Sequence, residues 1–287
     1  MMAVYLKELR SYFTGILGWL FAAFLTLFAG IYTMVYALTN GSPDFELVIS
    51  SITFIYMIGV PILTMRSVAE EKHSRTDQLL YALPVKLSHI VMGKYLALCT
   101  VLLLPVCVIG LYPLIIMQFG ALNMKLIYTT LAAFFLLGAA LMSVGLFISS
   151  LTESQVAAAV LTLVAMLILY FISSLATFVP NEGRASLIAL CAVVAVFALI
   201  LLALTRNSLV ALLVAAAGVG GLCAAYMASP DGFTGLFARI MGQLSLFDRF
   251  DVFVSGVLDL TGVVYFLSVS GVFLFLTVQS LEKRRWS

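Results

Sequence analysis

The chain has 287 residues, 63% hydrophobic and only 10% charged, with a net charge of +2 and a mean hydropathy of +1.17. A soluble domain needs about 25% charged residues to cover its surface, so this composition excludes one and indicates a polytopic membrane protein. The small net charge argues against nucleic acid as a partner. All four cysteines, Cys99, Cys107, Cys191 and Cys223, fall inside apolar runs and read as small buried residues rather than a disulfide framework. His73 and His89 are the two histidines, too few for a histidine-based metal site.

Residues 1–14 place Met2, Leu6, Leu9 and Phe13 on one helical face and Lys7 and Arg10 opposite, the pattern of a short helix lying in a membrane interface. The apolar run 16–38 is longer than a signal-peptide core and predicts a first span. A second run, 47–65, carries Pro61 near its end, where a kink would leave backbone groups to find other partners. Then comes 66–94, RSVAEEKHSRTDQLLYALPVKLSHIVMGK, the longest stretch with frequent charge. Ser74 with Asp77 three positions on, or Thr76 alone, would cap a short helix whose apolar stripe is Leu79, Leu80 and Leu83 and whose stop is Pro84. Such a helix reads as a docking surface, or as a plain connection between two spans.

Further spans are predicted over 95–117, interrupted by Pro105 and Pro113, then over 126–148 and 156–178. Two alanine-rich runs, 186–204 and 209–227, are joined by the short turn TRNS and predict an antiparallel hairpin that packs closely. Residues 229–261 are too interrupted for a span and too apolar for a free linker. Phe233, Leu236, Phe237, Ile240 and Leu244, followed by Phe247, Phe250 and Phe253, predict one or two short helices at or dipping into the outer interface. A last span over 262–277 and its flank ends in the basic tail EKRRW.

The expected fold class is therefore all-α, a single polytopic membrane domain of about eight transmembrane helices. Eight spans put both termini on one side. Calling that side cytoplasmic leaves 11 lysines and arginines inside against 4 outside, as the positive-inside rule requires. A six-span arrangement with 186–228 as a re-entrant pair keeps the same sidedness. No Asp, Glu, Lys or Arg lies in the middle of any span, which counts against an ion-coupled carrier. The chain has no G-x-x-x-x-G-K-[ST] phosphate loop, so it is not expected to hydrolyse ATP or act as an enzyme itself. A membrane body driven by a separate ATPase and a passive anchor or assembly subunit both fit these features.

The stretch PILTMRSVAEEKHSRTDQLLYALPVKLSHIVMGKYLA resembles the permease subunit of type-2 ABC transporters, near the gliding-motility and copper-maturation branches. Pro61, Leu63, Thr64 and Arg66 match the end of that family's second span, and Glu71 and Lys72 its charged pair. Thr76, Leu79 and Leu80 match its threonine-led helix, and Pro84, Val85, Gly93 and Lys94 the entry to the third span. The opening Lys7 to Arg10 and the last span with its basic tail are similar too, so the resemblance covers 1–180 and 233–286. Arg75 departs from it, standing where the family commonly has glycine, and the pair at 186–228 is additional to the family's six spans.

The resemblance implies a permease in a bacterial or archaeal cytoplasmic membrane, with both termini cytoplasmic. It would dimerise with a second copy or a homologue and bind two copies of a cytosolic ABC ATPase. ATP and Mg would then be bound by that ATPase, with no cofactor in this chain. Residues 66–83 would be the coupling element received in a groove of the ATPase. Glu70, Glu71, Arg75 and Thr76 would make polar contacts there, and Leu79 and Leu80 would anchor the helix. On the outer side, 233–256 would cap the pathway, with Phe237, Phe247 and Phe250 shaping an outer gate. Membrane lipids are the remaining partners implied, and the cargo, lipid-like or amphipathic by the uncharged interior, is also compatible with peptides or drugs.

Overall fold

A computed structural model describes residues 1–39, 44–76, 86–118, 122–205 and 208–285. The regular elements among the described residues are all helical, and the α-helices are α1 (Met2–Thr14), α2 (Ile16–Thr33), α3 (Phe45–Ile52), α4 (Tyr56–Thr64), α5 (Ala69–His73), α6 (Leu87–Ile109), α7 (Tyr112–Ile116), α8 (Met124–Leu151), α9 (Gln155–Thr177), α10 (Gly183–Thr205), α11 (Ser208–Ala228), α12 (Leu236–Leu244), α13 (Leu246–Val254) and α14 (Leu260–Arg285). Among them, six stretches are long and apolar enough to cross a membrane: Ile16–Tyr36, Phe45–His73, Leu87–Ile116, Met124–Leu151, Gln155–Thr177 and Leu260–Lys283. Two shorter apolar helices, Gly183–Leu199 and Leu212–Ala228, lie in the predicted hairpin.

The irregularities have local causes. The second spanning stretch is not one smooth helix: a 3₁₀ turn, Thr53–Ile55, precedes α4, in which Pro61 supplies no amide proton. It also runs past the predicted boundary at Met65, re-forming as α5 after a turn at 65–68. The third stretch accommodates Pro105 within α6 but breaks at Gly110 and Leu111, and Pro113 then sits in the first turn of α7, where a missing donor costs nothing.

The chain divides into two compact units. The first, Met1–Ile168 with Arg249–Ser287, is organised around α8, which is packed by α14, α6 and α4. Small residues on α8 permit this approach. A Cβ on Gly145 would stand 2.5 Å from Thr64 Oγ1, and one on Gly138 would stand 2.7 Å from Leu102 Cδ2 and from Tyr56 Cζ and Oη. Tyr56 is fully buried, stacks on Phe134 at 4.6 Å between centroids and donates a 3.0 Å hydrogen bond to the Phe134 carbonyl. Where apolar lipid replaces water, close backbone approach and satisfied polar groups of this kind hold helices together.

The second unit is Leu169–Asp248. Here α10 and α11 form the antiparallel hairpin, with Gly218 against Val194, where a Cβ would come within 2.6 Å of Val194 Cγ1. The 3₁₀ turn Pro230–Phe233 and α12 pack on α10, and Gly235, in the left-handed region at φ 66°, donates its amide to Asn181 O at 3.0 Å. The interrupted segment 229–261 thus holds two short helices and a 3₁₀ turn.

Candidate functional site

α1 buries the side that its apolar periodicity does not mark. Met2 and Leu6 are exposed, whereas Glu8 and Tyr12 face inward and are buried. Tyr12 Oη donates to Leu63 O at 3.0 Å, and burial pushes its phenol well above the usual range. α1 approaches α6 at Gly93, where a Cβ would lie 3.2 Å from Met1 O and Val4 Cβ and 3.3 Å from Tyr5 N. A larger residue at 93 would push directly on the backbone of α1.

The next residue, Lys94, is only 2% exposed; its ammonium donates to Glu8 Oε1 at 2.8 Å and to the Ser67 carbonyl at 2.6 Å and forms an ion pair with Glu71 Oε2 at 2.8 Å. Glu71 Oε1 in turn accepts from Lys7 at 2.9 Å. Burial pulls the Lys7 ammonium down, but the hydrogen bond and charge of Glu71 outweigh it, so its pKa is raised. Desolvating an ion costs several kcal/mol, a cost offset only when every donor and acceptor is met. Lys94 meets that condition with two carboxylates. Removing it would leave Glu8 and Glu71, with side chains 11% and 14% exposed, facing one another.

The turn at 65–68 is fixed from below by α8. Ser149 Oγ accepts the amides of Val68 and Ala69 at 3.3 and 3.1 Å, and Lys72 donates to Ser150 O, which Ser280 of α14 also reaches at 3.4 Å. Thus α1, α5, the start of α6, and the ends of α8 and α14 meet at one end of the first unit.

The predicted coupling residues distribute unevenly over this end. Glu70 pairs in bidentate fashion with Arg66 at 2.6 and 3.0 Å, with both side chains more than a third exposed. Glu71 is turned inward to Lys7 and Lys94. Ser74 donates back to Glu70 O at 2.8 Å and Thr76 to Glu71 O at 3.3 Å, so both hydroxyls close the end of α5. The helix expected after them, including Leu79 and Leu80, lies outside the described residues. Arg75 is exposed with φ 55°, the left-handed region that costs a side-chain-bearing residue about 1–2 kcal/mol. That geometry gives the physical reason why glycine suits this position.

The predicted outer-gate residues are all aromatic groups within helices. Phe237 is half-buried on α12, and Phe247 packs edge-on against Tyr170 at 4.9 Å, both in the second unit. Phe250, in the first unit, is 1% exposed and packs against Phe134 at 6.3 Å. α13 is further tied down by Thr130 Oγ1, which donates to Phe253 O at 3.2 Å, and by Arg249 stacked over Tyr265 at 4.4 Å.

The cluster that orders this end was visible in the sequence only as separate letters. Glu8, Lys94 and Glu71 are far apart in the chain, and Lys94 was singled out by resemblance with no partner assigned. The signal was a lysine and a glutamate placed at the edges of apolar runs, where an unpaired charge is expensive.

Among the described residues, no group of three or more His, Cys, Asp or Glu side chains could hold a metal ion. Six stretches long and apolar enough to cross a membrane, among the described residues, define a multi-pass helical membrane protein. The chain belongs to the ABC-2 transporter family: the family profile described as ABC-2 family transporter protein matches residues 2–219, which contain the whole ionic cluster. A search of curated proteins gives no match.

Proposed function

We propose that this chain is the permease subunit of an ATP-driven exporter of the type-2 ABC class, powered by a separate cytosolic ATPase that docks at the end carrying α1, α5 and Lys94. The observation that carries the reading is the buried Glu8–Lys94–Glu71 cluster in a family member, because it makes the 66–76 segment and α1 one mechanically continuous surface. Glu70, Arg75 and Thr76 supply the exposed polar contacts to the ATPase, with Glu71 acting through the lysines behind it. Leu79 and Leu80 anchor the helix that follows. This end faces the cytoplasm, as do both termini, in a bacterial or archaeal cytoplasmic membrane. The apolar stripe of α1 rests in the lipid interface.

Two such permeases, identical or homologous, and two ATPases form the working unit, with ATP and Mg bound by the ATPases. The α10–α11 hairpin spans the membrane as an addition to the six-span body, which gives eight spans in all. The cargo is amphipathic and leaves along the permease interface, with Phe237 and Phe247 at the exit and Phe250 anchoring α13 in the first unit. The test is purification of the tagged chain from native membranes in mild detergent, with mass identification of bound proteins and assay of ATP turnover. A stoichiometric ATPase whose turnover responds to amphipathic compounds supports an exporter. A bound ATPase indifferent to any cargo turns the reading to an anchor subunit, and recovery with no nucleotide-binding partner overturns it.

A further inference from the structure

Resemblance alone places Glu71 on the ATPase, yet its carboxylate has one oxygen on Lys7 and the other on Lys94. Lys94 in turn holds Glu8 of α1 and the carbonyl of Ser67 in the turn that precedes α5. One buried ammonium therefore ties three elements together at a single point: the interfacial helix, the exposed 66–76 segment and the start of the third spanning stretch. Its neighbours leave it no slack. Gly93 brings α1 against α6 on one side, and Ser149 holds the amides of Val68 and Ala69 on the other. The exposed Arg66–Glu70 pair lies within one helical turn and cannot serve this purpose, because it links no two elements.

We propose that Lys94 is a positioning residue for energy coupling. It locks α1 and the 66–76 segment onto α6, so that force delivered at the exposed segment moves the interfacial helix and the third spanning stretch together. This deepens the proposed function and rests on it. Without the lock, a docked ATPase would displace only the turn at 65–76. Docking itself, which uses the exposed Glu70, Arg75 and Thr76, would persist.

The test uses the intact permease–ATPase complex in lipid nanodiscs and reads two quantities: ATPase retained per permease, and the permease-dependent change in ATP turnover. Lys94→Gln removes the charge. Glu8→Gln removes one partner while keeping its shape, and carries the test should Lys94→Gln fail to accumulate. Both should retain wild-type ATPase stoichiometry and lose about tenfold of the coupling, inside the usual range of inter-site coupling free energies. A third arm adds Val4→Cys and Gly93→Cys to the Glu8→Gln chain, with the native cysteines replaced, and scores restoration against the same cysteine pair in the chain that keeps Glu8 and Lys94, because a side chain at 93 presses on α1. Their Cβ atoms would lie 3.2 Å apart, close enough for a disulfide after a small adjustment. Oxidation by a copper–phenanthroline reagent should restore coupling and reduction should abolish it again, which a merely local folding defect would not do. Wild-type coupling in either variant, loss of the ATPase together with coupling, or failure of the cross-link to restore it would each overturn the inference. A wild-type complex that retains no ATPase would instead overturn the proposed function on which it stands.

Discussion

Substituting Gly138 by alanine tests the packing of the first unit at its tightest point. The added methyl would stand 2.7 Å from Leu102 Cδ2, Tyr56 Cζ and Tyr56 Oη, nearer than real Cβ contacts come. The Tyr56 ring cannot swing aside freely, because it is fully buried, stacked on Phe134 and hydrogen-bonded to the Phe134 carbonyl. Overpacking of this kind costs about 1–3 kcal/mol, and straining the hydrogen bond adds about 0.5–1.5 kcal/mol. Alanine recovers about 1 kcal/mol of helix propensity, so a net loss of about 0.5–3.5 kcal/mol is expected. In detergent the apparent unfolding midpoint should fall by about 2–4 °C for each kcal/mol, on the scale of large domains. Tyr56→Phe removes one of the clashing atoms, so the double variant should lose less than the sum of the two singles. A Gly138→Ala chain that unfolds at or above the wild-type midpoint would refute the three-helix contact described for α4, α6 and α8.

Three other outcomes follow from the same structure. At Arg75, glycine should be more stable than alanine by about 1 kcal/mol because φ is 55° there, as measured by matched thermal unfolding; equal stabilities would remove the strain argument. Ser149→Ala leaves the buried amides of Val68 and Ala69 without their acceptor and should cost about 1–3 kcal/mol, with faster hydrogen exchange confined to the 65–73 turn. Asp259 accepts hydrogen bonds from the Thr261 side chain and from the amides of Thr261 and Gly262 at the start of α14, and these hold its carboxyl below the usual aspartate value. A depressed carboxylate stabilises fully above its unfolded value and loses that effect as pH falls through the folded one. Exchange protection of the first turn of α14 should therefore decline below pH 3.8 in the wild type, and Asp259→Asn should flatten that decline.

Much of the architecture could be read from one residue to the next. A run of apolar side chains long enough for a bilayer is a property of local composition, and the spanning stretches fall close to where those runs lie. The break near Pro113 and the short helices after residue 229 follow from local chemistry in the same way. The apolar stripe of α1 was legible too, but it marks the exposed face; the buried face, with Glu8 and Tyr12, carries no periodic signal because its partners are polar. Arg75 shows the two levels meeting: the departure from glycine is a letter in the sequence, and only the backbone angle explains it.

Composition and hydropathy by themselves determined that the chain is a multi-pass helical membrane protein and where its charged end lies, because the cost of placing charge in hydrocarbon acts on each segment separately. Only the tertiary structure decided that Lys94 binds Glu8 and Glu71 together, that Gly138 seats Tyr56 and that Gly93 seats α1. The Lys94–Glu8 pairing joins residues 86 apart, and which charge finds which partner is settled by how the helices cross.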